Sequence, residues 1–552
     1  MIIKNHDMDV NSGPLFTKIL IFALPIMAVN IFQLLFNAAD MIVVGRFSGS
    51  KALAAVGATG ALINLIVNLF MGLSVGTSVA VAQDYGADQP DEVSRSVHTS
   101  IIVSIIAGLL VMVAGLILCE PLLKIMGTPE DILNLSVLYM RIYFIGIPAS
   151  MVYNFGAAIL RAIGDSRHPM YYLTIAGSIN VVLNLFFVIV LGMSVDGVAW
   201  ATIISQYISM MLIMICLYRS EGAIRFMFSK MRIDMNKLKK IVKIGLPAGI
   251  QNLLFSISNV LIQSAVNSFG STMVAASSAS GNVESFLGTT MNAYYNAAIT
   301  FTGQSMGAKK YDRIDSVAKV CTVLIFITWI FLGGFILVFG EKLLGFYTSD
   351  LQVIELGMIR MKVMMIAYFT CGIMNVYPGL IRGMGYSILP MLCTLIGACL
   401  MRIVWLATFF RWYPTVMMLF VCYPVTWALA GLGQIGSFFY ARHQVRKRAA
   451  LESEFMEEQP KSEEKPKSEK QIKYEDQARL DGQEKPEEQV MSQVKSQEQG
   501  NLQEEARLQE QARLQGQAKS AEGLSTEDRS LSTNRPLSVK VVSSTEKSEI
   551  IN

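Results

Sequence analysis

The sequence predicts an all-α polytopic membrane protein: twelve transmembrane helices in two six-helix lobes, related by a pseudo-two-fold axis along the membrane normal, with a disordered C-terminal tail. Three observations carry this. Of 552 residues 53% are hydrophobic, and they gather into about twelve runs of twenty or more, each long enough as a helix to cross roughly 30 Å of hydrocarbon. Two halves of the chain come into register at an offset of about 221 residues. Beyond about Arg442 the composition turns abruptly to Glu, Lys, Gln and Ser.

The spans are read at 15–46, 52–83, 96–119, 132–160, 169–193, 196–218, 240–268, 272–304, 316–339, 352–383, 388–410 and 415–441. The first contains Leu24 to Gly45, which opens with Leu24-Pro25 and carries Asn30, Gln33, Asn37 and Asp40. At about 100° per helical residue these four side chains fall within roughly a quarter turn. Every other side is Ile, Leu, Val, Phe, Met or Ala, so the polar seam has to face protein or a water-filled cavity, because lipid offers no hydrogen-bond partners. Asp40 is its single carboxylate. Pro25 removes a backbone donor and allows a bend; with Pro247 at the matching place in the second half, it is read as a hinge. The hydrophilic start, Met1 to Ser12, lacks the basic, apolar and small-residue order of a cleaved signal, so the first span is expected to stay.

The repeat is carried by four separate matches. Leu24-Pro25 meets Leu246-Pro247, and Asn30 and Asn37 meet Asn252 and Asn259. After one gap, Gln83-Asp84-Tyr85-Gly86-Ala87 meets Gln304-Ser305-Met306-Gly307-Ala308. Leu160-Arg161-Ala162-Ile163-Gly164 then meets Ile381-Arg382-Gly383-Met384-Gly385, and Pro169-Met170 meets Pro390-Met391. Each copy has six spans, and an even number returns the chain to its starting side, so the copies share one orientation. That plan belongs to transporters whose two bundles rock about a midplane site, with a duplicated static scaffold or channel as the alternative.

Lys and Arg crowd alternate loops: Arg161 and Arg167, the stretch from Arg219 to Lys240, then Lys309, Lys310 and Arg313. By the positive-inside rule both termini are cytoplasmic, in a plasma-membrane protein. The net charge of +4 balances this basic surface against an acidic stretch of the tail and gives no nucleic-acid signal. The domain plan is a cytoplasmic N-terminus over 1–14, a first lobe over 15–219, a cytoplasmic linker over 220–239, a second lobe over 240–443 and a charged tail over 444–552. The tail lacks the apolar surface to fold alone, a transient helix around 501–520 excepted.

Several chemistries are disfavoured. The seven cysteines lie in or beside spans without Cys-x-x-Cys spacing, and the four histidines show no ligand pairing, which argues against zinc or haem. Gly72 to Gly76 lies inside an apolar helix and reads as close packing, and no phosphate-binding loop appears. No catalysis and no cofactor are expected, so pumping has to be driven by an ion gradient.

Asn180 and Asn184 are four apart on the fifth span and share a face; Thr202 lies one turn into the sixth. With Asn37 and Asp40 they compose an oxygen-rich pocket of the kind a sodium ion accepts. A proton needs Asp40 alone, since a carboxylate withdrawn from water holds its proton more readily and a nearby cation loosens it. The blander alternatives are Asp40 snorkelling to the interface, Asn180 and Asn184 as interhelical glue, and Thr202 bonding back to its own helix. In the second half Ile262 stands opposite Asp40, and Glu284 supplies a carboxylate amid Ser277, Ser278, Ser280 and Asn282. Glu284 is read as a substrate-facing acid or second coupling site, with Arg402 and Lys362 as possible neutralising partners. Gln33, Asn282, Met291, Tyr294 and Tyr295 are assigned to the wall of a substrate cavity, against the alternative of ordinary packing.

These features together resemble the multidrug and toxic compound extrusion (MATE) family, over about residues 15–443. The resemblance rests on Leu24-Pro25, Asn37-Ala-Ala-Asp40, the pair Gln83-x-x-Gly86-Ala87 and Gln304-x-x-Gly307-Ala308, Arg161-Ala-Ile-Gly164 with Pro169, and the duplicated six-span plan. It implies twelve helices in two lobes, alternating access, and a monomer exporting organic cations or amphipathic compounds against inward sodium or protons. The chain is most similar to the DNA-damage-inducible protein F branch, in which the first-span acid and polar groups of the fifth and sixth spans serve the coupling cation. Asp40, Asn180 and Thr202 match that pattern; Asn184 stands where an aspartate is usual. Two other functions are kept in view: a lipid-linked oligosaccharide flippase of the same superfamily, which needs a more basic cavity, and a membrane receptor or scaffold working through its tail.

Overall fold

The computed structural model describes residue 10 and residues 12–458, and among those residues the regular structure is helical throughout. The first half comprises α1 (Leu15–Val43), α2 (Ser50–Gly86), α3 (Pro90–Ile125), α4 (Glu130–Ala162), α5 (Arg167–Leu185) and α6 (Val195–Arg219). The second comprises α7 (Met235–Asn267), α8 (Ser271–Gly307), α9 (Tyr311–Thr328), α10 (Gly334–Gly345), α11 (Leu351–Ile366), α12 (Tyr368–Gly383), α13 (Ile388–Thr394), α14 (Met401–Ala407), α15 (Phe409–Trp412) and α16 (Val416–Glu458). Wide π-helical turns fuse α9 to α10 and α13 to α14, and α11 with α12 forms one span bent by 55°. Among the described residues nine helical stretches are long and apolar enough to cross a membrane, and the bent pair makes a tenth. The central helices α2 and α8, 37 residues each, complete twelve rods in two six-helix lobes.

Two boundaries differ from the sequence expectation, each for a local reason. Helix α7 starts at Met235, inside the stretch read as linker, because Asp234 accepts from the backbone N–H groups of Lys237 at 3.1 Å and Asn236 at 2.9 Å. Those donors, Lys237 foremost, hold the Asp234 carboxyl below its ordinary range. Helix α16 runs past the expected end of the last span at 441, where Arg442 pairs with Asp315 at 2.6 Å and Arg446 with Asp312 at 2.6 Å. The tail beyond 458, including the segment around 501–520, lies outside the described residues.

The internal repeat extends to backbone conformation. Gly49 and Gly270, Asp88 and Lys309, and Gly164 and Gly385 are three pairs 221 residues apart, and each pair shares a left-handed φ.

The lobes are tied together by exchanged helices. The first turns of α1 (Ile19, Phe22, Ala23, Ile26) sit in the apolar core of the second lobe, with the Phe22 ring edge-on to Phe301 at 5.8 Å. Helix α7 lies across α2, and a Cβ at Gly72 or Gly76 would run into the backbone of Gly249, Gly245 and Ile241. The Gly72 to Gly76 stretch is thus the close packing the sequence suggested. At the end carrying the basic loops the contact is reciprocal: Gln83 Nε2 donates to Gly383 O and Gln304 Nε2 to Ala162 O, both at 2.7 Å. Beside it, Asp84 of α2 takes Lys237 at 2.7 Å and Lys240 at 3.2 Å, and Glu92 takes Lys237 at 2.9 Å. The Asp84 and Lys237 side chains are only 8% and 9% exposed, so removing one partner strands a buried charge. Asp84→Ala is expected to cost about 3 kcal/mol, read as an earlier thermal inactivation of the purified protein, and Asp84→Glu to recover most of it; an unchanged midpoint for the alanine variant would show that this pair does not secure the lobes.

Candidate functional site

Three helices of the first lobe bring oxygen atoms to one place. Helix α1 is drawn against α5 because Gly177 has no side chain; a Cβ there would occupy the Phe36 ring. One turn beyond Phe36, Asp40 accepts a hydrogen bond from Asn184 Nδ2. The same amide nitrogen reaches Asn180 Oδ1 at 3.3 Å, and Asn180 Nδ2 reaches Thr202 Oγ1 of α6 at 3.5 Å. Thr202 also donates to Val198 O at 2.9 Å, the back-bond anticipated for a helical threonine. Asn180 and Asn184 are 5% and 1% exposed, so these contacts sit where water is scarce. Just past the cluster both helices widen into π-turns, Val44–Ser48 after α1 and Phe186–Val190 after α5, irregularities that recur near functional sites.

Two features make this more than a polar plug. Asn184 is the polar partner of Asp40, and no positively charged side chain neutralises that carboxylate among the described residues. Asn184 Oδ1 is buried and finds no donor among the described residues. A carboxylate, two amide oxygens and a hydroxyl are ligands a hard monovalent cation takes up, and an orphaned amide oxygen beside an unneutralised carboxylate is an electrostatic deficit that a cation cancels. Tyr139 and Tyr143 of α4, with ring centroids 6.1 Å apart, come within electrostatic reach of Asp40. The sequence reading missed them; their spacing of four, which puts both on one face of α4, was the available signal.

The polar seam of α1 divides. Asn30 crosses to α8, donating to Thr289 O at 3.2 Å and to Asn292 Oδ1 at 3.5 Å. Gln33 and Asn37 are exposed, and Asn37 is not drawn into the Asp40 cluster by any hydrogen bond among the described residues. Pro25 lies within an unbroken α1 and borders a groove of about 400 Å³ shared with Arg167 and Met170 of α5. Pro247 lies within α7.

In the second lobe the expectations need correction. Glu284 borders a cavity, but as an ion-paired acid: its carboxylate pairs with Arg360 Nη2 at 3.0 Å, and Arg360 also donates to Ser277 and Ser280. Lys362, two residues from Arg360 and thus on another helix face, is exposed. Met291 and Tyr294 pack within the apolar core of the lobe, the alternative weighed against a cavity wall. They are 1% and 3% exposed in the lobe's core, with the Tyr294 hydroxyl 2.9 Å from Thr328 Oγ1. Tyr295 is half-buried and accepts from Arg382 Nη1 at 2.6 Å, while Asn282 is exposed on α8. Ile262, opposite Asp40 in the repeat, is fully buried among apolar neighbours.

Comparison with known proteins agrees with this architecture. The MatE family model matches twice, over residues 25–186 and 247–408, more than half of the chain. The chain is 27% identical over 404 residues to the probable multidrug resistance protein YpnP of Bacillus subtilis (strain 168), covering 73% of this chain and 90% of that protein. It is 26% identical over 379 residues to the probable multidrug resistance protein YoeA of the same organism, covering 67% and 81%. A solved outward-facing conformation of a multidrug resistance MATE family transporter of the MOP superfamily aligns with a TM-score of 0.73 at 22% identity, over 82% of this chain and all of that one. With the family model matching once in each lobe, the chain belongs to the MatE family of multidrug and toxic compound extrusion transporters.

Proposed function

We propose that this protein is a cation-coupled exporter of amphipathic organic compounds, working by alternating access as a monomer in the plasma membrane with both termini cytoplasmic. The observation that carries the proposal is the Asp40 cluster: one carboxylate without a cationic partner among the described residues, beside a buried amide oxygen that finds no donor among them. One negative charge suffices for one proton or one sodium ion, so the coupling ion is either of these and no resident cofactor is required. The basic loops lie at the end where the lobes are pressed together, and the positive-inside rule makes that end cytoplasmic. The cluster, near the C-terminal end of α1, then lies toward the outer side of the membrane.

Helix α1 supports the coupling step. It starts in the core of the second lobe and ends at Asp40 in the first, with Pro25 between. A cation that neutralises Asp40 changes the local charge at one end of a rod whose other end grips the opposite lobe, and Pro25 gives the rod a place to bend. Small side chains and amides on α1 and α8, including Gln33 and Asn282, face the space between lobes in this reading and receive the cargo. The family consists of transporters, and the chemistry proposed is translocation without bond making.

Asp40→Asn is expected to insert and fold yet lose gradient-driven efflux from proteoliposomes; full transport by that variant would remove Asp40 from the mechanism. Imposing each gradient alone identifies the ion. If sodium drives transport, Asn184→Leu should weaken its apparent affinity about tenfold or more, the order seen for disturbed metal surroundings; proton-driven transport should survive that change. Deleting residues 452–552 is expected to leave most transport in place, whereas its loss on truncation would favour a scaffold working through the tail.

A further inference from the structure

A second cavity, of about 310 Å³, lies within the second lobe and is bordered by Phe255, Tyr423, Trp427, Glu284, Arg360 and Arg402. Its size is at the lower end of the roughly 300–1,000 Å³ common for small-molecule pockets. Its charges do not balance. Glu284 is committed to Arg360 at 3.0 Å, and those two cancel. Arg402 is wholly buried and has no carboxylate within ion-pair distance among the described residues.

The guanidinium of Arg402 is held in a fixed pose. Nη1 donates to Asn259 Oδ1 at 2.7 Å and to Ser258 Oγ at 3.4 Å. The rings of Tyr423 and Phe255 flank it, with centroids 4.8 and 4.9 Å from Cζ. Its other two nitrogens, Nε and Nη2, are buried and find no acceptor among the described residues. They share one edge of the planar group, the edge that offers two parallel N–H bonds to a carboxylate. Native proteins seldom leave buried donors without acceptors, and a buried charge without counter-charge is rarer still. Ring contacts soften that deficit from above and below but do not supply an acceptor in the plane.

We propose that this cavity binds an organic monoanion, an aromatic carboxylate whose two oxygens take the Nε and Nη2 edge of Arg402 while its ring lies among Phe255, Tyr423 and Trp427. The site lies in the opposite lobe from Asp40 and goes beyond the coupling reading. It also reverses the expectation of a cation pocket at Glu284, because the cavity wall sets two guanidiniums, Arg360 and Arg402, against the single carboxylate of Glu284. A pyrophosphate-linked sugar carries more negative charge than one unpaired guanidinium balances, so the flippase alternative gains no support from this cavity.

The test is equilibrium binding of tritiated 1-naphthaleneacetate to the detergent-purified full-length protein, without any ion gradient. The unlabelled acid should displace it about tenfold or more better than 1-naphthaleneacetamide or 1-naphthylethylamine, the ratio a charge-assisted hydrogen bond supplies. Glu284→Gln should tighten binding of the acid by removing the competing negative charge, and Arg402→Gln should reduce the acid to the level of the amide. Equal displacement by acid and amide, or better displacement by the amine, overturns the proposal on the wild-type protein alone, whether or not the arginine variant folds. Retained acid preference in a monodisperse Arg402→Gln protein overturns it as well. Because no gradient is used, failure here leaves the Asp40 coupling untouched, and failure of coupling leaves this result standing.

Discussion

A bilayer offers a polar side chain no partner, so every donor, acceptor and charge placed within a span has to be answered by another part of the protein. That constraint organises the molecule. It brings α1, α5 and α6 together around Asp40, sends Asn30 across to α8, and pairs Glu284 with Arg360. Where the answer is complete the residue is structural, as with the two lobe-bridging glutamines. Among the atoms left unanswered are Asn184 Oδ1, beside the Asp40 cluster, and the Nε and Nη2 edge of Arg402, on which the two proposals above rest.

The two lobes repeat a backbone but not a chemistry. Left-handed turns recur 221 residues apart, down to the non-glycine pair Asp88 and Lys309, which shows that the duplication preserved helix ends and crossings. The interiors diverged. The first lobe holds an acid, Asp40, without a cationic partner among the described residues, whereas its counterpart Ile262 is buried in an apolar cluster and the second lobe holds Arg402, two of whose nitrogens lack an acceptor among the described residues. Matching bundles thus carry unlike polar chemistry within one nearly symmetric frame.

Spans, the repeat and the Asp40 group were legible because each depends on local arithmetic: run length, a constant offset, and residues three or four apart on one helix. The seam of α1 shows the limit of that arithmetic. Asn30, Gln33, Asn37 and Asp40 share a face, yet they go to three different surroundings, because α1 passes from one lobe to the other along its length. Arg360 was overlooked for a related reason. Its partner Glu284 lies 76 residues earlier, and which of several basic residues would meet that acid depends on how α8 and α11 face each other, which no periodicity encodes. Met291 and Tyr294 looked like cavity lining on composition alone, but the same soft aromatic chemistry fills cores, and here it does.

The exchanged helices are alike in shape and unlike in what secures them. Where α7 crosses α2, Asp84 and Lys237 have to part as ions in a place with little water. Where the first turns of α1 meet α8, the contact is hydrocarbon, Ile19, Phe22 and Ala23 against Phe301 and its neighbours, and farther along it is uncharged, Asn30 meeting Thr289 and Asn292 through hydrogen bonds. The junction between bundles is therefore held unevenly: under the proposed alternating access, the uncharged crossing, on the helix whose far end bears the ionisable group, is the cheaper one to shift, and the ionic crossing is the one that resists.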